Sequence, residues 1–216
     1  MVLMDRIYLD HASTVPVDQR VFDFTKEFIS AGNPSSLYEY GQEAKQAITT
    51  ARVNVAELIN AESEKQIIFT ASATEANNLA IRGTAYRNQR DGKELLSSAI
   101  EHISVINPMK EMLKNGWNYQ TVPVDEYGLV DLDSLKKMLK SDTVVTSIIY
   151  ANNEIGTIQP IKDIAEIVHK HGKYLHVDAW AAAGKIPIDV QAEGIDLLTL
   201  SSNALAGPMG AGALYI

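Results

Sequence analysis

The chain has 216 residues, a formal charge of −8, 46% hydrophobic and 21% charged residues, and no cysteine. This is the composition of a globular chain long enough to bury a substantial core, and its acidity disfavours nucleic acid and anionic membrane as partners. Without cysteine there is no disulfide, no thiolate metal site and no cysteine nucleophile within the chain. No apolar run reaches the ~20 residues that a membrane span needs. Met1–Arg6 has no basic region leading into an apolar core, so a cytoplasmic location is expected rather than secretion.

In chain order, the segment through Asn60 holds an extended piece at Ile7–Leu9 and a loop at Asn33-Pro34-Ser35-Ser36. A long helix follows, in which Ala44, Ala47, Ile48, Ala51, Val55 and Leu58 recur at three- and four-residue spacing. Short runs at Ile67–Thr70, Glu94–Ser98, Tyr119–Val122, Val144–Tyr150, Tyr174–Asp178, Leu197–Ser201 and Ala213–Ile216 predict strands. They are mostly non-alternating, as in strands covered on both faces. Helical patterns lie between them at Thr74–Arg87, at Leu132–Leu139 and through Ile161, Ile164, Ile167 and Val168. The alternation predicts an α/β domain with a mostly parallel sheet. Residues 1–60 form an N-terminal segment with its long helix, and residues 61–216 a ligand-binding large domain. The sequence stops inside an apparent strand at Gly212–Ile216, so the chain is expected to be a fragment or one half of a split protein.

Ligands of open α/β sheets gather beyond the carboxyl ends of the strands, and the informative residues fall there. Ala71-Ser72-Ala73-Thr74 follows a strand and opens a helix. Its free N–H groups and the Thr74 hydroxyl could hold an anion, or Ser72 or Thr74 could simply cap the helix. Glu101-His102 follows the next strand, where His102 by itself reads as a polar cap. Asn152-Asn153-Glu154 alone is only a turn. Asp178 ends an apolar strand and by itself reads as a helix cap. His169-Lys170-His171 reads as a solvated helix end rather than a metal site, since residues two apart point in different directions. There is no metal constellation and no GxGxxG fingerprint.

Taken together and in order, these stretches resemble the cysteine desulfurase (NifS/IscS-like) family of the class V aminotransferase superfamily. Asp10-His11-Ala12-Ser13-Thr14-Val15-Pro16 is similar to its Asp-His-Ala-Ala-Thr-Thr-Pro. Gly32-Asn33-Pro34-Ser35-Ser36 matches, and Ala71–Asn78 resembles its phosphate loop with Ser72 in place of glycine. The resemblance runs from residue 8 to 216 but covers only about the first half of a full-length member. It implies the large domain of a three-layer, fold-type I transferase dependent on pyridoxal 5′-phosphate (PLP), without the C-terminal small domain. Ala73, Thr74 and Ser201 would reach the phosphate, His102 would stack on the ring, Asn153 would meet the ring hydroxyl and Asp178 the ring nitrogen.

The same resemblance exposes departures. Ser201-Ser202-Asn203-Ala204 stands where the family has Ser-x-His-Lys, so the Schiff-base lysine position is Ala204. Met209 replaces a second lysine, Ala181 a glutamine and Tyr38 a histidine. Some archaeal-type members are similar in having Ser-Ser-Asn without the lysine. The family removes sulfur from L-cysteine for iron–sulfur cluster assembly, usually as a homodimer. Without the lysine or a cysteine to accept sulfur, this chain is expected to bind PLP noncovalently, to be weak or inactive, and to serve as a scaffold or partner of an iron–sulfur scaffold protein. Alternatives are a working enzyme whose lysine was removed deliberately or whose missing half comes from another chain, another class V aminotransferase-type enzyme, or a cofactor-free structural remnant whose strand-end polar residues are only caps. A reducible aldimine would mean that another lysine such as Lys185 has taken over.

Overall fold

The computed structural model describes residues 7–216; the expectation drawn from Met1–Arg6 lies outside them. In chain order the elements are α1 (Gln19–Lys26), α2 (Glu39–Leu58), β1 (Ile67–Thr70), α3 (Ala73–Arg87), β2 (Glu94–Ser98), α4 (Ile103–Met112), β3 (Asn118–Val122), α5 (Leu132–Met138), β4 (Thr143–Ile149), α6 (Ile161–Lys170), β5 (Tyr174–Asp178), α7 (Val190–Glu193), β6 (Leu197–Ser201) and β7 (Gly212–Tyr215). The strands form one seven-stranded sheet in the order β1-β7-β6-β5-β4-β2-β3. All pairs are parallel except those of β7, which runs antiparallel to both β1 and β6. Each run predicted as a strand is one, within a residue at either end. Ile7–Leu9 joins no strand.

Helices cover both faces, giving the three layers. On one face α2, α5 and α6 pack over Leu96, Ile148, Leu175, Val177, Leu198 and Leu200. On the other, α3 and α4 pack over Leu95, Val145, Leu197 and Leu214. Burial of each such aliphatic side chain contributes about 1.5–3 kcal/mol. In α6 the rule is visible residue by residue: Ile161, Ile164, Ala165, Ile167 and Val168 are buried, Asp163 lies in the first turn and Lys170 in the last, matching the helix dipole.

Three helices, α1, α4 and the short α7, are not marked by the sequence pattern. Helix α1 buries no residue and is held by the Asp18 cap, which accepts from the Arg20 N–H at 2.8 Å. Helix α4 contains Pro108, normally a helix breaker. It forms because Val105, Met109 and Met112 bury completely against α3 and the sheet.

Side chains alternate across each strand, so the α3 side of the sheet carries Ser147, His176, Asp178, Thr199 and Ser201 at neighbouring positions. Ser147 Oγ meets His176 Nδ1 at 2.7 Å and His176 Nε2 meets Thr199 Oγ1 at 3.0 Å, tying β4, β5 and β6 together beneath the strand ends. Burial drives the His176 pKa down to about 3, so the imidazole is neutral in this ladder.

Candidate functional site

A cavity of about 430 Å3 opens at the carboxyl ends of β1, β2, β4, β5 and β6. Every site residue expected from the sequence lines it: Ala73, Thr74, His102, Asn153, Asp178 and Ser201. Ala12 and Ser13 close it from the N-terminal segment. Ala204 does not line it. That residue is buried in the 3-10 turn Ser202–Leu205, and Asn203 faces the cavity instead. Among the described residues no lysine or arginine lines the cavity. Lys185 stands outside it, its Nζ donating to the Ala181 carbonyl at 3.1 Å.

At the head of α3, Ser72 is the cap, its hydroxyl accepting from the Glu75 N–H at 3.1 Å. Glu75 in turn accepts from the Ala71 N–H at 2.6 Å. The first helical backbone bond is from the Ala76 N–H to the Ser72 carbonyl. The N–H groups of Ala73 and Thr74 and the Thr74 hydroxyl are thus left facing the cavity, at the positive end of a fifteen-residue helix. The capping duty thus falls to Ser72 and not to Thr74.

In the Asn152–Asn153 pair the duties also separate. Asn152 builds the turn: its Oδ1 accepts from the Glu154 and Ile155 N–H groups at 2.9 and 3.1 Å, and its Nδ2 donates to the Ile100 carbonyl at 3.0 Å. Asn153 is left to the cavity.

Asp178 is 3% exposed. Its Oδ1 accepts from the Trp180 N–H at 3.0 Å and its Oδ2 from Asn77 Nδ2 at 2.8 Å. Burial raises its pKa while these two donors oppose the rise. Among the described residues no basic side chain pairs with it. A buried carboxylate bordering a cavity without a cation of its own suits a ligand that brings one.

His102 caps α4, its Nδ1 accepting from the Ser104 N–H at 3.2 Å and lying 2.7 Å from Ser104 Oγ. The ring nevertheless borders the cavity, so capping and ligand contact coexist in one residue. Ser201 borders the cavity and is hydrogen-bonded within the protein. Its hydroxyl donates to Asn203 Oδ1 at 2.6 Å and approaches the Ala211 carbonyl at 3.4 Å, so its proton is engaged within the protein. Trp180 Nε1 donates to the same Asn203 oxygen at 3.1 Å. An indole N–H can only donate, which identifies that Asn203 atom as oxygen and turns the amide nitrogen free as a donor. Trp180, Asn203, Asn77 and Ser104 were not assigned from the sequence. Asn203 had a local signal in its departure from the motif, whereas Asn77 and Ser104 had none.

The residues fit PLP. They provide helix-terminal donors for a phosphate, a flat imidazole, an unengaged asparagine and a buried carboxylate for a protonated ring nitrogen. His169 and His171 form no site: His169 Nε2 pairs with Asp196 Oδ2 at 2.9 Å, and His171 Nδ1 meets the Ile167 carbonyl at 2.9 Å.

Known proteins resemble the chain over nearly its whole length. The family described as Aminotransferase class-V matches residues 7–216. The chain is 49% identical over 211 residues to the cysteine desulfurase IscS 1 of Archaeoglobus fulgidus, covering 97% of this chain and 55% of that protein. It is 43% identical over 212 residues to the cysteine desulfurase IscS of Dictyoglomus turgidum, covering 97% and 54%. Among solved structures, a NifS-like protein superimposes with a TM-score of 0.94 at 36% identity over 98% of this chain and 59% of its own. SspA in complex with cysteine superimposes with a TM-score of 0.94 at 34% identity, over 98% and 61%. The chain spans about half the length of the curated relatives it matches.

Proposed function

Because this chain belongs to the class-V aminotransferase family, we propose that its cavity is a PLP site of the cysteine desulfurase type. The proposal extends to noncovalent binding of the cofactor and weak or absent desulfurase activity of the chain alone. When bound, PLP supplies an electron sink for chemistry at the α-carbon of an amino acid. The Ala73 and Thr74 N–H groups and the Thr74 hydroxyl would bind its phosphate, with Asn203 Nδ2 as a further donor. Asp178 would hold a proton on the ring nitrogen, a role that requires an anion. His102 would lie against the ring and Asn153 would donate to its hydroxyl.

The observation that carries this reading is Asp178, buried and without a cation, beside the free donors of α3. Ala204 offers no amine to anchor the cofactor and no base to move a proton, and the chain has no cysteine to accept sulfur. L-cysteine as substrate is supported by the relatives' names and by the neighbour solved with cysteine. Work in iron–sulfur cluster assembly beside a scaffold protein, as a homodimer in the cytoplasm, belongs to the same proposal.

The test is to mix the chain with PLP and record absorption before and after borohydride reduction and dialysis. A retained aldehyde-type spectrum that borohydride fails to fix to the protein is expected. Absence of retention refutes the proposal and favours a cofactor-free remnant, a reading supported by the capping duties of Ser72 and His102.

A further inference from the structure

Asn77 is fully buried in α3, one turn inside the helix end that faces the cavity, and its amide nitrogen makes two contacts at 2.8 Å. One is to Asp178 Oδ2 and the other to Ser104 Oγ. Its carbonyl oxygen is buried without a partner. The reversed amide would set that oxygen against a carboxylate, so the nitrogen must face Asp178.

The direction of each hydrogen bond follows. The Asn77 amide can only donate, so Ser104 Oγ accepts from it and keeps its own proton for the nearest acceptor, His102 Nδ1 at 2.7 Å. The Ser104 backbone N–H also can only donate, and it too is directed at His102 Nδ1. Two donors converge on one ring nitrogen, which leaves the proton of a neutral imidazole on Nε2.

We propose that Asn77 is a positioning residue for the cavity: its single amide group fixes the Asp178 carboxylate and, through Ser104, sets His102 as the Nε2–H tautomer. Asp178 and His102 come from different elements, β5 and the start of α4, and Asn77 on α3 makes their orientations interdependent. A leucine of similar size would avoid the orphaned carbonyl, so packing does not explain an asparagine here. The titratable groups facing Asp178 are Glu101, beyond β2, and His102. Neither replaces the Asn77 donor. The consequence for a bound ring rests on the PLP reading above, whereas the hydrogen-bond assignment does not.

The test is nuclear magnetic resonance on the cofactor-free chain labelled with 15N-histidine and 13C-aspartate. His102→Gln and Asp178→Asn identify the two signals. In the parent chain His102 Nδ1 should be the unprotonated nitrogen. Asn77→Leu should raise the Asp178 titration midpoint by about one unit or more, since a donor to the ionised form is lost. Ser104→Ala keeps the Asn77–Asp178 bond; it should leave that midpoint in place and increase the fraction of His102 protonated on Nδ1. It also keeps the proposal testable should Asn77→Leu not fold. A parent His102 protonated on Nδ1, an Asp178 midpoint unmoved by Asn77→Leu, or a midpoint moved by Ser104→Ala would overturn the proposal. Both readouts are independent of PLP, so failure to retain PLP refutes the proposed function and leaves this assignment standing.

Discussion

Replacing Glu101 with glutamine should change how stability depends on pH. Glu101 is 7% exposed, and its Oε1 accepts from Ser98 Oγ at 2.5 Å and from the Ile149 N–H at 2.7 Å, while Oε2 is buried without a partner. Burial raises its pKa from 4.5 to about 8, against the pull of those two donors, with Asp178 adding a smaller rise. The folded state therefore holds a proton that the unfolded chain releases. For such a group the stabilisation is fully present below pH 4.5 and is lost as pH rises towards 8. The slope reaches about 1.4 kcal/mol per pH unit, and the loss between pH 5 and 8 is about 3 kcal/mol. Glutamine keeps the acceptor at Oε1 and cannot ionise, but it sets two amide protons where Oε2 has no partner, at a pH-independent cost of about 1–3 kcal/mol. Urea unfolding of both chains from pH 5 to 8.5 should show the variant less stable at pH 5 and comparable or more stable above pH 8. A stability difference that changes by less than about 1 kcal/mol over this range refutes the protonated state assigned to Glu101.

Thr74→Ala removes an exposed hydroxyl from the proposed phosphate site. It should weaken PLP about tenfold in an absorbance titration while changing stability by less than about 0.5 kcal/mol. Ala204→Lys returns an amine to the turn, and borohydride should then fix PLP covalently to the chain; fixation by the parent as well would mean that another lysine already reaches the cofactor. The chain has two tryptophans. Trp180 borders the cavity, whereas Trp117 packs in the cluster formed with α3 and α4. PLP should therefore quench the parent's fluorescence strongly and that of Trp180→Phe weakly, and equal quenching would place the cofactor elsewhere.

Much of the architecture was legible from local pattern. Short aliphatic or β-branched runs marked the strands because the covering helices demand apolar faces, whereas Asp178, Thr74 and His102 stood out through the family resemblance and not through position alone. The missing amine at Ala204 was likewise a matter of reading motif against motif. What local pattern lacked was any record of partners far apart in the chain. Asn77 and Asp178 are 101 residues apart, yet 2.8 Å separates their polar atoms. Neither residue carries a mark of the other, since a buried asparagine in a helix looks like any other until the sheet is placed beneath it. The same holds for Trp180 and Asn203, for the antiparallel course of β7, and for α4, whose Pro108 argued against the helix that burial of Met109 and Met112 imposes. Sequence alone thus determined the strands and four of the helices through periodicities of a few residues, and the strand-end residues through the family resemblance. The partners of their hydrogen bonds, and the burial that raises the Glu101 pKa, were decided only by tertiary packing, because burial and donor geometry are properties of the assembled layers.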